Sequence, residues 1–412
     1  MSRPIVIVDP VDSGSELAPA FAAQGISVVA VRSLPAAMWG NIGFAAKLQT
    51  AHFQEIHESQ PGLEEILRRL YPRAVIAGME SGVLLADRLA AALTPQFANR
   101  PELSKARRHK ALMQEALAKA GLPTIRTLNT ASADEVAAWL AEQDLTRAAL
   151  VVKPAASAGS DCVYHVPPGG DWRTPFHHIL ATPTRLLGEP NETVIVQEQV
   201  VGTEYAVDTV SADGQHVLAH LIRYSKTSAG ERMTVFDHTE FVRFDPAMHG
   251  GMIDYAKKAL DALGIRWGAA HSEIMLTPEG PRLIECGARM CGGPVLGFAR
   301  AATGSSQLER VVQAYVSGEI TTRDFSFRQT VVPIFLKAPI SGVLRNIEVL
   351  ESLRSLPTHL STYAWRTNGD HVQRTVDFDT AIGVVTLAGA RAAVFSDYER
   401  VREAEARLLI EC

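Results

Sequence analysis

WGAAHSEIMLTPEGPRLIECGARMCGG, residues 267–293, consists of two apolar runs broken by the turn residues TPEG, and it reads as a β-hairpin. Side chains alternate between the faces of a strand, so His271, Glu273 and Met275 share one face of the first strand, and Leu283 and Glu285 share a face of the second. A loop centred near Glu279 sets Glu273 opposite Glu285, with Cβ atoms about 4.5–5.5 Å apart. Two carboxylates that close repel each other. Such a pair either takes up a proton or holds a cation, and hard oxygen ligands beside a phosphate suit Mg²⁺. The stretch therefore points to a nucleotide site.

The rest of the chain is permissive. Its 412 residues suggest about three domains at ~150 residues each. A composition of 47% hydrophobic and 21% charged residues is ordinary for a globular protein, and a net charge of −5 gives no electrostatic reason to expect nucleic acid. Four cysteines (Cys162, Cys286, Cys291, Cys412) argue against a disulfide framework and for a reducing compartment. Cys286 and Cys291 lack a second Cys/His pair at zinc-like spacing and read as small buried residues. The amino-terminal apolar run is interrupted by Asp9, and no run of about 18 apolar residues occurs, so no membrane span and a cytoplasmic location are expected.

From the amino terminus, RPIVIVD, a helix from Gly14 to Gln24 and ISVVAV form a βαβ unit. PGLEEILRRL, RAVIAG and SGVLLADRLAAAL extend it to a small parallel sheet ending near Leu93. The glycine spacing is not GxGxxG, which argues against a dinucleotide site here. TPQFANRPELS reads as a linker. SKARRHKALMQEALAKAGLP is a helix with a basic start, in which Arg107, Arg108 and Lys110 form either a solvated face or something more specific. ASADEVAAWLAEQ is a second helix. AALVVKP then places Lys153 inside an apolar strand, ahead of the small-residue loop Ser157, Ala158, Gly159 and Ser160, a candidate phosphate clamp. In TVIVQEQVVGTEYAVDTV, backbone beside apolar side chains can read an adenine edge, and Glu204, six residues after Glu198, can bind ribose hydroxyls; two strands joined by a polar turn explain it as well. AHLIRYSK and the helix MIDYAKKALDALG lead into the two-carboxylate hairpin.

Taken in this order, the lysine-bearing helix, the VVKP strand with its loop, the QEQVVGTEYAVD hinge, the HSE strand and ECGARMCGG resemble the ATP-grasp superfamily over residues 104–313. GARMCGG and the long segment beyond it look like the carboxylate–amine ligases typified by L-amino acid ligases. The resemblance implies a multidomain α/β and α+β chain: a Rossmann-like α/β domain over 1–103, an ATP-grasp lid over 104–198, a central catalytic part over 199–324, and a strand-rich α+β domain over 325–412. It implies ATP contacts at Lys110, Lys153 and the lid residues Ser157, Ala158, Gly159 and Ser160. Adenine would meet Glu198, Gln199 and Val201, with Glu204 on the ribose. Mg²⁺, as two ions with Mn²⁺ as an alternative, would sit on Glu273 and Glu285, and Arg289 would bind the transferred phosphate or the acyl phosphate. One departure is Gly287, where many members carry an Asn that completes the metal shell.

The implied activity is ATP-dependent coupling of a carboxylate donor to an amine acceptor through an acyl phosphate, giving an amide or dipeptide in specialised metabolism such as antibiotic biosynthesis. A homodimer is compatible with it. Around this chemistry, His271 either touches the metal shell, orients the acceptor or is structural. Arg223 and Lys226 pair with a substrate carboxylate or the γ-phosphate, or are exposed charge. Asp237 and His238 are further substrate candidates. The Gly292–Gly293 pair would let backbone N–H groups approach a ligand, or is a plain turn. Beyond residue 325, short strands, a hairpin signal at Asn368-Gly369 and the helix SDYERVREAEARLLI carry nothing catalytic. A biotin-carboxylase-like or purine-pathway enzyme and a non-catalytic nucleotide binder are the competing readings.

Overall fold

The computed structural model describes residues 3–34, 50–157, 159–184, 188–229, 232–323, 326–378 and 380–412. At the amino-terminal end, β1 (Ile5–Val8), β2 (Val28–Arg32), β3 (Glu55–Glu58) and β4 (Ala74–Ala77) form a parallel sheet in the order β3-β2-β1-β4. Helices α1 (Leu17–Ala22), α2 (Leu63–Arg69) and α3 (Val83–Leu93) accompany it. β1 is apolar throughout because both its faces are covered: Ile5 and Ile7 pack with Leu17 and Phe21, while Val6 and Val8 pack with Leu67 and Leu89. β3, with the sequence EIHE, has no apolar run to announce it and lies at the sheet edge.

The expected linker is fastened down. The Asn99 side-chain oxygen accepts hydrogen bonds from the backbone N–H groups of Arg266 and Trp267 at 2.8 and 2.9 Å, and the Arg100 N–H donates to Gly264 O. The helix expected from Ser104 begins only at Lys110 (α4, Lys110–Lys119) and is capped by His109. Arg107 and Arg108, just before it, are buried rather than solvated: Arg107 pairs with Asp87 at 2.7 Å, and Arg108 with Glu80.

A second sheet, antiparallel and in the order β5-β8-β6-β7, contains β5 (Thr127–Thr130), β6 (Leu150–Pro154), β7 (Tyr164–Val166) and β8 (Val194–Glu198). On it, α5 (Ala133–Glu142) and α6 (Arg173–Ala181) bury Val136, Leu140, Phe176 and Ile179. Each such side chain contributes roughly 1.5–3 kcal/mol by leaving water.

The largest sheet has eight strands in the order β13-β12-β9-β10-β11-β14-β18-β16. Its members are β9 (Thr203–Ala212), β10 (Gln215–Ala229), β11 (Arg232–Phe241), β12 (Gly268–Thr277), β13 (Gly280–Gly287), β14 (Thr330–Leu336) and, after β15 (Gly342–Leu344), which lies elsewhere, β16 (His359–Ala364). β17 (His371–Val372) also lies elsewhere, β18 (Gly383–Gly389) returns to the large sheet, and β19 (Ile410–Glu411) joins β15 and β17 in a three-stranded sheet ordered β17-β15-β19. Helices α7 (Pro246–Ala262), α8 (Val295–Thr303), α9 (Gln307–Ser317) and α10 (Arg391–Glu405) complete the fold. The sheet runs without a break across residue 325, because β11 pairs directly with β14. Asn368-Gly369 does form a turn, with Gly369 at φ 94, but it does not join paired strands: β16 bonds to β18 and β17 to β15, so the turn passes the chain from one sheet to another.

The hairpin of β12 and β13 has the expected centre and the expected facing pair, Glu273 opposite Glu285. The register then slips by one residue, because Ile274 faces Leu283 and Ile284 is left without a partner. Leu283 consequently does not share a face with Glu285. It points with Ile274 into the apolar core under α7, whereas Ile284 and Glu285 line the cleft on the other side.

Candidate functional site

Between the four-stranded antiparallel sheet and the large sheet lies a cleft of about 660 Å³, closed at one end by the loop after β1. Its floor is the face of β12 and β13 that carries His271, Glu273, Met275 and Glu285, and its roof comes from β6, β7 and the segment 197–203. Three lysines converge here. The Lys110 ammonium, on the first turn of α4, donates to Ser157 O at 2.6 Å and lies 3.0 Å from Glu285 Oε1. Lys153 is buried within β6; desolvation, helped by the charge of Lys110, pulls its pKa down to about 8 against the opposing pull of Glu285, Glu273 and Glu204. Lys226 stands 2.7 and 2.9 Å from the two Glu204 oxygens, and the Glu204 and Glu273 charges raise its pKa even though burial acts the other way.

Glu273 remains ionised. Burial pushes its pKa up, but the His271 imidazole, 3.6 Å away, and the charges of Lys226 and Lys110 outweigh that and hold it at about 2. His271 is itself fixed from behind: Nδ1 is 2.7 Å from Asp208 Oδ1, and Asp208 Oδ2 is 2.7 Å from His220 Nε2, though out of line for a good hydrogen bond. Burial lowers the His271 pKa, and Cys291 and Asp208 more than reverse it. Burial keeps the Cys291 thiol protonated near neutrality, so the Asp208 carboxylate is the group that sustains the imidazolium. Ligand atoms of Asp208, His271 and Cys291 lie within 4.8 Å of one another, but the two charged members already satisfy each other. Both Cys286 and Cys291 are buried, in keeping with a packing role.

Arg289 enters from beyond β13. Its Nε donates to Glu80 Oε2 at 2.9 Å, and Glu80 also pairs with Arg108. Burial alone would raise the Glu80 pKa; Arg108, Arg289 and Lys110 bring it down to about 2. This triad explains Gly287: a Cβ there would stand 2.8 Å from Glu80 Oε2 and 3.3 Å from the Arg289 guanidinium carbon. Glu80 and Asp12 were not among the sequence candidates. Both follow the carboxyl ends of parallel strands, β4 and β1, where open α/β sheets place ligands, and that rule was the available signal.

Among the other candidates, Ser157, Gly159, Ser160, Glu198, Gln199, Val201, Glu204, Lys226, Gly292 and Gly293 line the cleft, while Ala158 lies outside the described residues. Glu198 is engaged by Arg126, which donates to it from its backbone N–H and its guanidinium. Three substrate candidates do not reach the cleft. β10 runs through to Ala229, and the odd spacing of Arg223 and Lys226 along it turns Arg223 away to pair with Glu240. Asp237 binds Lys337 at 2.7 Å, Arg402 at 2.9 Å and the Tyr398 hydroxyl, and His238 packs edge-on to Phe395 and Tyr398, so both serve the seam with the carboxy-terminal segment.

The donor set fits Mg²⁺ with a nucleotide: two carboxylates in register, one of them held ionised, supply hard oxygens, and Lys110, Lys153, Lys226 and Arg289 ring them with positive charge. The roof segment 197–203 supplies backbone beside apolar side chains, which suits a purine edge.

Comparison with known proteins bears on this geometry. Residues 146–296 match the ATP-grasp domain. Dapdiamide A synthase from Enterobacter agglomerans is 30% identical over 98% of this chain and 96% of its own length. Among solved structures, the L-amino acid ligase from Bacillus licheniformis superposes with a TM-score of 0.71 at 17% identity, covering 100% of this chain and 98% of that one. The carboxyaminoimidazole ribonucleotide synthase from Aspergillus clavatus, complexed with ATP, gives 0.71 at 15% identity with 99% of each chain covered.

Proposed function

The chain belongs to the ATP-grasp carboxylate–amine ligases, and from that premise we propose that it joins an amino acid, or an acid derived from one, to an amine acceptor, releasing ADP and phosphate. The observation that carries the reading is the facing pair Glu273 and Glu285 within a ring of four cationic side chains. A synthase whose product is by name a diamide supports the choice of amide chemistry over carboxylation. Among the described residues no helix is long and apolar enough to cross a membrane. The four free cysteines support a cytoplasmic setting.

The chemistry follows from what these residues hold. Lys110 and Lys153 bind phosphate oxygens, and the loop from Ser157 folds over them to keep water from the acyl phosphate. Glu273 and Glu285 would hold Mg²⁺, two ions in this reading, which when bound would neutralise charge on the phosphate chain. The donor carboxylate attacks the γ-phosphorus and ADP leaves. Arg289, kept in place by Glu80, faces the acyl phosphate, and the acceptor amine then displaces phosphate. Gln199 and Val201 flank the base. Lys226 holds Glu204 until ribose hydroxyls compete for it. The four-part division at residues 103, 198 and 324 belongs to the same reading, with the last boundary falling inside a shared sheet.

Phosphate release from ATP and Mg²⁺, over a matrix of carboxylates and amines with mass spectrometry of products, tests this directly. Release that requires a pair and yields a condensed product supports it; release driven by bicarbonate sinks it.

Lys153 gives a pH signature. Protonated, it attracts phosphate, and burial brings its loss of charge down to about 8. MgADP affinity is therefore expected to weaken as pH rises through about 8, and calorimetry showing a flat affinity from about pH 7 to 9.5 would remove Lys153 from the phosphate site. Fold stability moves the opposite way. A folded value below the unfolded one means that the charged form is disfavoured in the fold, so this destabilisation is present below about 8 and fades as pH climbs toward the unfolded value.

A further inference from the structure

We propose that Asp12 is the residue that binds the ammonium of an amino-acid substrate, an assignment that rests on the ligase reading above. Asp12 lines the cleft at the end closed by the amino-terminal sheet, beside Gly292, Gly293 and Arg289. Its backbone sits at φ 53, a left-handed conformation uncommon for a residue with a side chain and, where it persists, associated with functional sites. The Gly293 N–H donates to both carboxylate oxygens, at 2.9 and 3.0 Å, which fixes the direction of the group. Gly292 makes room for it, since a Cβ there would fall 2.7 Å from Asp12 Oδ2.

Among the described residues, no Lys, Arg or His stands within ion-pair distance of Asp12. The guanidinium whose charge reaches Asp12, on Arg289, is committed to Glu80. Burial raises the Asp12 pKa, countered by the Gly293 N–H and by the Arg289 charge, so the protein's own groups under-compensate the ionised form. A mostly buried carboxylate in that position gains most from an incoming cation. The neighbouring Arg289 suits a carboxylate or acyl phosphate. A ligand with an ammonium at one end and a carboxylate close by, an α-amino acid, matches the pair. The ammonium belongs either to the donor or to the acceptor before it loses its proton.

The experiment is steady-state kinetics of wild type and Asp12→Asn, with a substrate pair that the wild type ligates. Asn tolerates the left-handed backbone and keeps an oxygen for the Gly293 N–H, so folding should be preserved. Melting temperature and MgADP affinity check that it is. The expected result is a rise in KM of roughly tenfold or more for one amino-bearing substrate, with MgADP affinity unchanged. A donor analogue lacking its amino group separates the sources. If the loss it suffers in wild type vanishes in Asp12→Asn, the donor ammonium is the ligand; if only the acceptor KM rises, it is the acceptor's. A wild type that ligates and a variant whose two KM values stay within about twofold overturn the proposal while leaving the ligase reading intact. A wild type that ligates nothing instead overturns the ligase reading on which the proposal rests.

Discussion

Glu285→Gln is expected to reduce ADP formation by more than ~100-fold while leaving the thermal midpoint close to that of wild type. The side chain stands on the cleft wall and takes no part in the apolar core beneath, so its amide isostere disturbs little packing. The charge is what the site loses. Without it, the cation site on the facing pair keeps a single anionic ligand, Glu273, and Lys110 loses its partner at 3.0 Å. The phosphates are then clamped less tightly, and the barrier to their transfer rises. Coupled-enzyme detection of ADP together with a thermal melt checks both halves; near-wild-type turnover would disprove the metal assignment.

The second large effect concerns stability as well as rate. Glu80→Gln leaves the buried guanidinium groups of Arg108 and Arg289 without their counter-ion, and breaking a buried pair by removing one partner costs about 3–5 kcal/mol. Urea denaturation reads this as a lower midpoint at constant slope. The pH profile supplies a second readout. Because the folded pKa of Glu80 is depressed to about 2 from the ordinary glutamate value of 4.5, its contribution is fully present above the unfolded value and is lost as pH falls toward about 2. The variant should be flatter than wild type over that window. Turnover should fall too, because Arg289 is freed to move. A variant as stable as wild type would mean that water, rather than Glu80, compensates the two arginines.

Much of the site was legible because its residues are close in sequence and alternate on strands. Glu273 and Glu285 lie on one hairpin whose turn is marked by Pro278 and Gly280, so their pairing followed from counting outward from the turn. Counting failed one residue further on, where the bulge at Ile284 sent Leu283 to the core; a single inserted residue inverts facing, and composition does not mark it. Arg223 was misplaced for a related reason, since the length of β10 decides which face the residue takes. Asp237 and His238 look like free polar residues until α10 is folded against them. Glu80 and Asp12 approach the site from 209 and 281 residues away, and only the assembled fold brings them to Arg289 and Gly293. Their cue was positional, the ends of parallel strands, rather than any motif.

The unbroken eight-stranded sheet has a bearing on how this protein can be taken apart. Because β11 donates to and accepts from β14, cutting the chain near residue 325 would not release a tidy module. It would expose the N–H and C=O groups of β11 along a new edge, a template to which other chains can add strands. It would also strip Lys337, Tyr398 and Arg402 from Asp237. Exchanging carboxy-terminal segments between relatives, an obvious way to graft one substrate preference onto another, therefore has to respect strand register and the Asp237 seam. Grafts confined to the segment between β15 and β16, residues 345–358, leave both untouched.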